Sequence, residues 1–302
     1  MSATADVPVI NRRPGKLWAL LQFPLSRLVL AVLFVTVPMT LLQLAAKAVG
    51  IINRSPQGIL LNLILVAVVI GGYALYVRWI ERRPVKELDK RGAARQVLTG
   101  FLVGATLFCT TMLILWLMGA WTYTGLVPGA RWIYPLVAAL IVATLEETLL
   151  RGVLFRLLEE SLGSWIALAL SALVFGLMHA FNPGASATST VAIALEAGVL
   201  LAAAYMFSRR LWFVYGLHAA WNFTEGGLFA THVSGNKMEG LIGVKFGGSE
   251  WLTGGAFGPE ASVVAVVVCL LAAAGFIVMA QRKWHIVAPV WRRRTPVPAV
   301  QQ

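Results

Sequence analysis

The chain has 302 residues, of which 59% are hydrophobic and 13% charged, with a mean hydropathy of +0.78 and a net charge of +12. A soluble domain carries about 25% charged residues, so the composition excludes an ordinary soluble fold. The surplus of Lys and Arg does not require nucleic acid, because no aromatic-interleaved basic motif occurs and the positions of the charges have a topological explanation.

In chain order, the first long apolar run lies between Arg27 and Lys47, 19 uncharged residues. It is too long for the core of a secretory signal and no A-x-A site follows, so it is expected to stay as the first helix. Uncharged runs of 23, 35 and 21 residues lie between Arg54 and Arg78, Arg95 and Arg131, and Glu260 and Arg282. About 20 residues at 1.5 Å each cross a ~30 Å hydrocarbon core. An all-α polytopic membrane protein with about eight transmembrane helices is predicted. The helices are placed near Leu28–Ala46, Ile59–Val77, Val97–Trp121, Ile133–Leu158, Trp165–Phe181, Thr190–Ser208, Leu211–Ala230 and Ala261–Gln281. The N-terminus, the even-numbered loops and the C-terminus hold 19 Lys and Arg, the odd-numbered loops five. This asymmetry predicts both termini in the cytoplasm. The organisation expected is a cytoplasmic segment at 1–26, a transmembrane domain at 27–281 and a basic cytoplasmic tail at 282–302.

Between the helices, Arg78–Arg95 mixes both charge signs and reads as a short helix on the membrane surface, and Arg292–Arg294 as a cluster at anionic headgroups. Gly235–Pro259 holds eight glycines, too many for a helix, and Gly258-Pro259-Glu260 reads as a helix start. Cys109 and Cys269 lie in apolar runs and are read as packing residues. Tryptophans near helix ends, such as Trp79, Trp132 and Trp284, suit interfacial anchoring.

Ionisable groups at hydrocarbon depth cost about 3 kcal/mol or more and tend to face a cavity and carry function. Helix 4 holds Glu146, Glu147 and Arg151; helix 5 holds His179; helix 6 holds Glu196; helix 7 holds His218 and Asn222. With a turn at Gly163, Glu146 and His179 fall 17 and 16 residues from it, at one level ~24 Å away. His218 lies ~12 Å from the cytoplasmic end of its helix. If the tip around Arg156, Glu159 and Glu160 projects into water, the group sits in the cytoplasmic half of the bilayer. Glu147 and Arg151 are i, i+4 and can pair, while Glu146 points about 100° away. Phe175 precedes His179, and His218 precedes Asn222, by the same interval. A buried carboxylate suits a general base, and His and Asn suit an oxyanion; no Ser or Cys nucleophile stands in an obvious relation to a His. Glu146, His179 and His218 are also a set that Zn²⁺ accepts, and the sequence leaves open whether water is held by glutamate alone or by metal.

These motifs, Glu146-Glu147 with Arg151, Phe175-x-x-x-His179 and His218-x-x-x-Asn222, resemble the CPBP family. It comprises CAAX prenyl proteases of the Ras-converting type and bacteriocin-processing or immunity proteins. The resemblance covers about 130–230, with a further likeness at Gly254–Glu260. It implies an intramembrane endopeptidase in which Glu146 activates water with help from His179, His218 and Asn222 stabilise the oxyanion, and Glu147 and Arg151 hold the site. The expected partners are the bilayer and a membrane-associated peptide or protein, lipidated or not, in a bacterial plasma membrane. Two rival readings are a non-enzymatic immunity or scaffold protein and a proton-coupled transporter using Glu146, Glu196 and the histidines.

Overall fold

The structure is a computed structural model that describes residues 15–52 and 54–293. Most of the expected N-terminal segment, and Arg294 with the rest of the basic tail, lie outside the described residues. Helices α1 (Lys16–Leu21), α2 (Pro24–Ala48), α3 (Pro56–Tyr76), α4 (Ala93–Leu117), α5 (Ile133–Glu147), α6 (Arg156–His179), α7 (Ala187–Ile193), α8 (Val199–Ser208), α9 (Leu211–Asn222), α10 (Glu250–Thr253) and α11 (Val263–Arg282) follow in order. Wide π-helical turns extend α3 at Val77–Glu81, join α5 to α6 at Thr148–Phe155, join α7 to α8 at Ala194–Gly198 and extend α9 at Phe223–Leu228. Strands β1 (Trp121–Leu126) and β2 (Ile242–Phe246) form one antiparallel pair.

Six of the continuous helical stretches among the described residues are long and apolar enough to cross a membrane. One of them, Ile133–His179, reverses at Gly163, where φ is +78°. The reversal is visible in packing: the Arg151 guanidinium lies 5.0 Å from the centre of the Phe175 ring, and each residue is twelve positions from Gly163. Outward-facing Leu33, Leu102, Leu173 and Leu271 are half-exposed or more, as suits a lipid-facing surface. The protein is an integral multi-pass membrane protein of all-α class.

At the centre stands α9, whose residues are buried on nearly every side. Its closest neighbour is α4. A Cβ on Gly100 or Gly104 would overlap the carbonyl oxygens of Phe213 or Leu217, and one on Gly216 would overlap that of Val97. Lipid supplies no hydrophobic drive between helices, so close backbone contact through small residues holds this pair by dispersion.

The two ends of the bundle differ. One end carries an ionic lattice: Arg27 bridges Glu81 and Glu160, Arg156 bridges the same two carboxylates, Arg83 pairs with Glu81 and Glu87, and Arg209 pairs with Glu159. The opposite end carries the α6–α7 turn, the β1–β2 pair and the Gly-rich connection before α11.

Two expectations are corrected here. The 78–95 segment is not one surface helix. Between the end of the π-helical Val77–Glu81 and the start of α4 only Lys86–Leu88 makes a helical turn, and its Glu87 is buried against Arg83 and Tyr73 because those groups satisfy it. The α5–α6 tip does not stand free in water. The segment after α11 covers it, with Ser164 N donating to Val287 O at 2.9 Å, and Glu159 is only 6% exposed between Arg209 and Ser164. The Gly-rich connection, expected to hold no helix, carries only the four-residue α10 and a short turn at Pro259–Ala261 beside a strand. Its β2 pairs with β1, with a bulge between Tyr123 and Gly125.

Candidate active site

A cavity of about 450 Å³ brings together Glu146, Phe175, His179, Glu196, His218 and Asn222. The carboxylate of Glu147 and the guanidinium of Arg151 lie behind its wall, both fully buried. Arg151 Nη1 donates to Glu147 Oε1 at 2.9 Å, and its Nη2 donates to Gly198 O at 3.0 Å and Ala197 O at 3.3 Å. The π-helical turns explain why this fits. A π turn shifts the backbone ladder by one residue and leaves carbonyls free, and both acceptors belong to the Ala194–Gly198 turn. A buried guanidinium needs such acceptors, since an unpaired charge there would be costly.

The same Glu147 oxygen accepts from His218 Nδ1 at 2.9 Å. A carboxylate only accepts, so Nδ1 carries the proton and Nε2 turns to the cavity, 4.0 Å from Glu146 Oε2. His179 is set likewise. Its Nδ1 lies 2.8 Å from Phe175 O, a carbonyl, so Nδ1–H is the donor and Nε2 is a free acceptor in the neutral ring. The Phe175 ring stacks on His179 at 4.6 Å and lies 6.1 Å from His218, with Arg151 over its face. Phe175 thus fixes both imidazoles and shields the ion pair from the cavity. Glu146 lines the cavity and stays 19% exposed, whereas Glu147 is fully buried with both donors on Oε1; Oε2 of each glutamate has no protein partner.

The cavity lies nearer the end opposite to the one expected. His179 is the last residue of α6, and Asn182, Ser234, Asn236 and Met238 from the outer connections line the cavity. The expectation measured depth from a projecting tip. That tip is covered by residues 287–289, and the site lies toward the far end of the hairpin, where α6 ends at His179.

Two carboxylates had no place in the sequence-based site. Glu260, read as a helix-start acid, is 2% exposed, lines the cavity and accepts from Ser234 N at 2.6 Å. With Gly235 N donating to Phe257 O at 2.7 Å, it pins the 233–236 turn over the cavity. Glu225 is fully buried, and its i, i+4, i+7 relation to His218 and Asn222 was the signal that could have found it. Glu196 accepts from Cys269 Sγ at 3.3 Å, so this cysteine is a polar contact as well as packing.

Glu146, His179 and His218 do not form a metal cradle. Among the described residues no three His, Cys, Asp or Glu side chains are grouped to hold an ion. Two ligands each at about 2 Å from a tetrahedral zinc stand about 3.3 Å apart. His218 Nε2 and Glu146 Oε2 are 4.0 Å apart.

Residues 128–224 match the family model described as type II CAAX prenyl endopeptidase Rce1-like. No curated protein and no solved structure matched the chain. The matched stretch begins just before α5, ends just beyond Asn222 and includes every residue of the three motifs. Over these residues, then, about a third of its length, the chain is similar to the Rce1-like type II CAAX prenyl endopeptidases.

Proposed function

We propose that the protein hydrolyses a peptide bond of a membrane-associated polypeptide with water activated by Glu146. The observation that carries this reading is the contrast between the two adjacent glutamates. Glu147 is fully buried with Oε1 held by Arg151 and His218, whereas Glu146 lines the cavity that two oriented imidazoles also face.

The step balances without a covalent intermediate. Water between Glu146 and His179 Nε2 gives a proton to the Glu146 carboxylate, and its oxygen adds to the scissile carbonyl carbon. The oxyanion lies toward His218 Nε2 and the Asn222 amide. For His218 to donate there while Nδ1–H binds Glu147, the ring carries both protons, and the Glu147 carboxylate beside it supports that charge. Glu146 then returns its proton to the leaving nitrogen as the C–N bond breaks, giving a carboxylate and an amine. Glu147, Arg151 and Phe175 position the histidines. A bacterial plasma membrane is the location proposed, and lipid attached to the substrate is compatible with the bilayer around the cavity.

Hydrolysis in H₂¹⁸O with intact-mass analysis of the enzyme tests the step. One ¹⁸O in each new carboxyl, with the enzyme mass unchanged during turnover, is expected. An acyl-enzyme adduct that forms and decays with turnover would overturn it.

A further inference from the structure

Which face of the membrane serves this site follows from two observations that do not depend on each other. The first is where the cavity opens. Its outer wall is built by Asn182 of the α6–α7 turn and by Ser234, Asn236 and Met238 of the connection after α9. These pieces are bound to one another: Asn182 Nδ2 donates to Ser234 O at 3.1 Å, and Glu260 holds Ser234 N. They form the mouth, and His179 sits directly beneath the turn.

The second is charge. Among the described residues, the end of the bundle away from the mouth gathers the basic loops, 16 Lys and Arg against five at the mouth end: Lys47, Arg54, Arg131, Lys237 and Lys245. Contacts confirm that the basic stretches share one end, since Arg27, Arg83, Arg156 and Arg209 are joined through Glu81, Glu87, Glu159 and Glu160. Arg54 and Glu239 pair at the other. Loops rich in Lys and Arg are retained in the cytoplasm.

We infer that the cavity opens to the non-cytoplasmic face, and that its substrate is a polypeptide segment exposed at that surface, such as a membrane-anchored or exported chain. This rests on the peptidase reading for the word substrate, but the direction of the mouth does not. A C-terminal segment anchored at the cytoplasmic leaflet would face the ionic lattice, where Glu81 and Glu87 are buried under arginines and no described cavity reaches Glu146.

The test uses the full chain in a bacterial membrane, in a Cys109→Ala background; Cys269 is buried. Lys237→Cys reports the mouth and Lys90→Cys the basic end, both at exposed positions. In sealed right-side-out vesicles a membrane-impermeant maleimide is expected to label Lys237→Cys and to label Lys90→Cys only after permeabilisation. The reverse pattern overturns the inference. A second arm adds an impermeant fluorogenic peptide library to right-side-out and inverted vesicles, with Glu146→Gln as control. Cleavage that is lost in the control and confined to right-side-out vesicles is expected, and cleavage confined to inverted vesicles overturns the inference. Outside labelling of Lys237→Cys with no Glu146-dependent cleavage in either preparation would instead overturn the peptidase reading, because labelling does not depend on turnover.

Discussion

Two glutamates side by side in one helix stand in different surroundings, and the proposed division of labour rests on that difference. Glu147 is fully buried and bound to a guanidinium and an imidazole; Glu146 is partly open and lines the cavity. Removing one member of a buried pair leaves an uncompensated charge, at about 3–5 kcal/mol. Arg151→Met is therefore expected to lower the thermal unfolding temperature in detergent sharply. Glu146→Gln should leave it within a degree or two while reducing turnover at least about 100-fold, the scale of a lost general base. Differential scanning fluorimetry beside a cleavage assay separates the two, and equal destabilisation by both would contradict the division of labour. The pairing of Glu147 with Arg151 was legible from i, i+4 spacing. The hold of Glu147 on His218 was not, because it joins α5 to α9 across 71 residues.

At the scale of elements, the site depends on where α9 stands, and α9 is set by its glycine-to-carbonyl contact with α4. Gly104→Leu touches none of the catalytic side chains, yet its side chain would strike the Leu217 carbonyl, one residue before His218. Overpacking of this kind costs about 1–3 kcal/mol or more. Lower stability and reduced turnover are expected together, measured by the same pair of assays; unchanged activity would mean that α9 is positioned by other contacts. The ionic end of the bundle makes a pH prediction. Burial pushes the Glu87 carboxyl up, but hydrogen bonds and charge from Arg83 outweigh it, so the group is held below its ordinary value. A carboxylate with a depressed folded pKa contributes stability that is present above the unfolded value, about 4.3 for Glu, and is lost as pH falls through the folded value. Unfolding temperature should drop below about pH 4, and Glu87→Gln should flatten that drop. The helices themselves were legible because lipid demands long uncharged runs. The strands were not. Trp121–Leu126 falls in the connection after the helix placed at Val97–Trp121, and its partner lies more than a hundred residues away among glycines.

For the molecule as a whole, the nearly equal distances of Glu146 and His179 from Gly163, 17 and 16 residues, made a shared level readable from sequence alone. The inferred opening toward the non-cytoplasmic face departs from the cytoplasmic side read from the sequence, which took the Gly163 turn to stand in water, whereas the segment after α11 lies over it. Counting residues along one helix pair fixes relative level; only packing against the rest of the chain fixes depth. Glu225 and Glu260 escaped for a related reason, since their burial is created by the connection that folds back over the cavity.

The most direct measurement is peptide cleavage by the purified full-length protein in liposomes, followed by mass spectrometry of a membrane-peptide library. Wild type, Glu146→Gln, His179→Ala and Arg293→Ala would be compared. New fragments from wild type and Arg293→Ala, falling at least about 100-fold in Glu146→Gln and His179→Ala, are predicted. Fragments produced at the wild-type rate by Glu146→Gln would contradict the assignment of this carboxylate as the base.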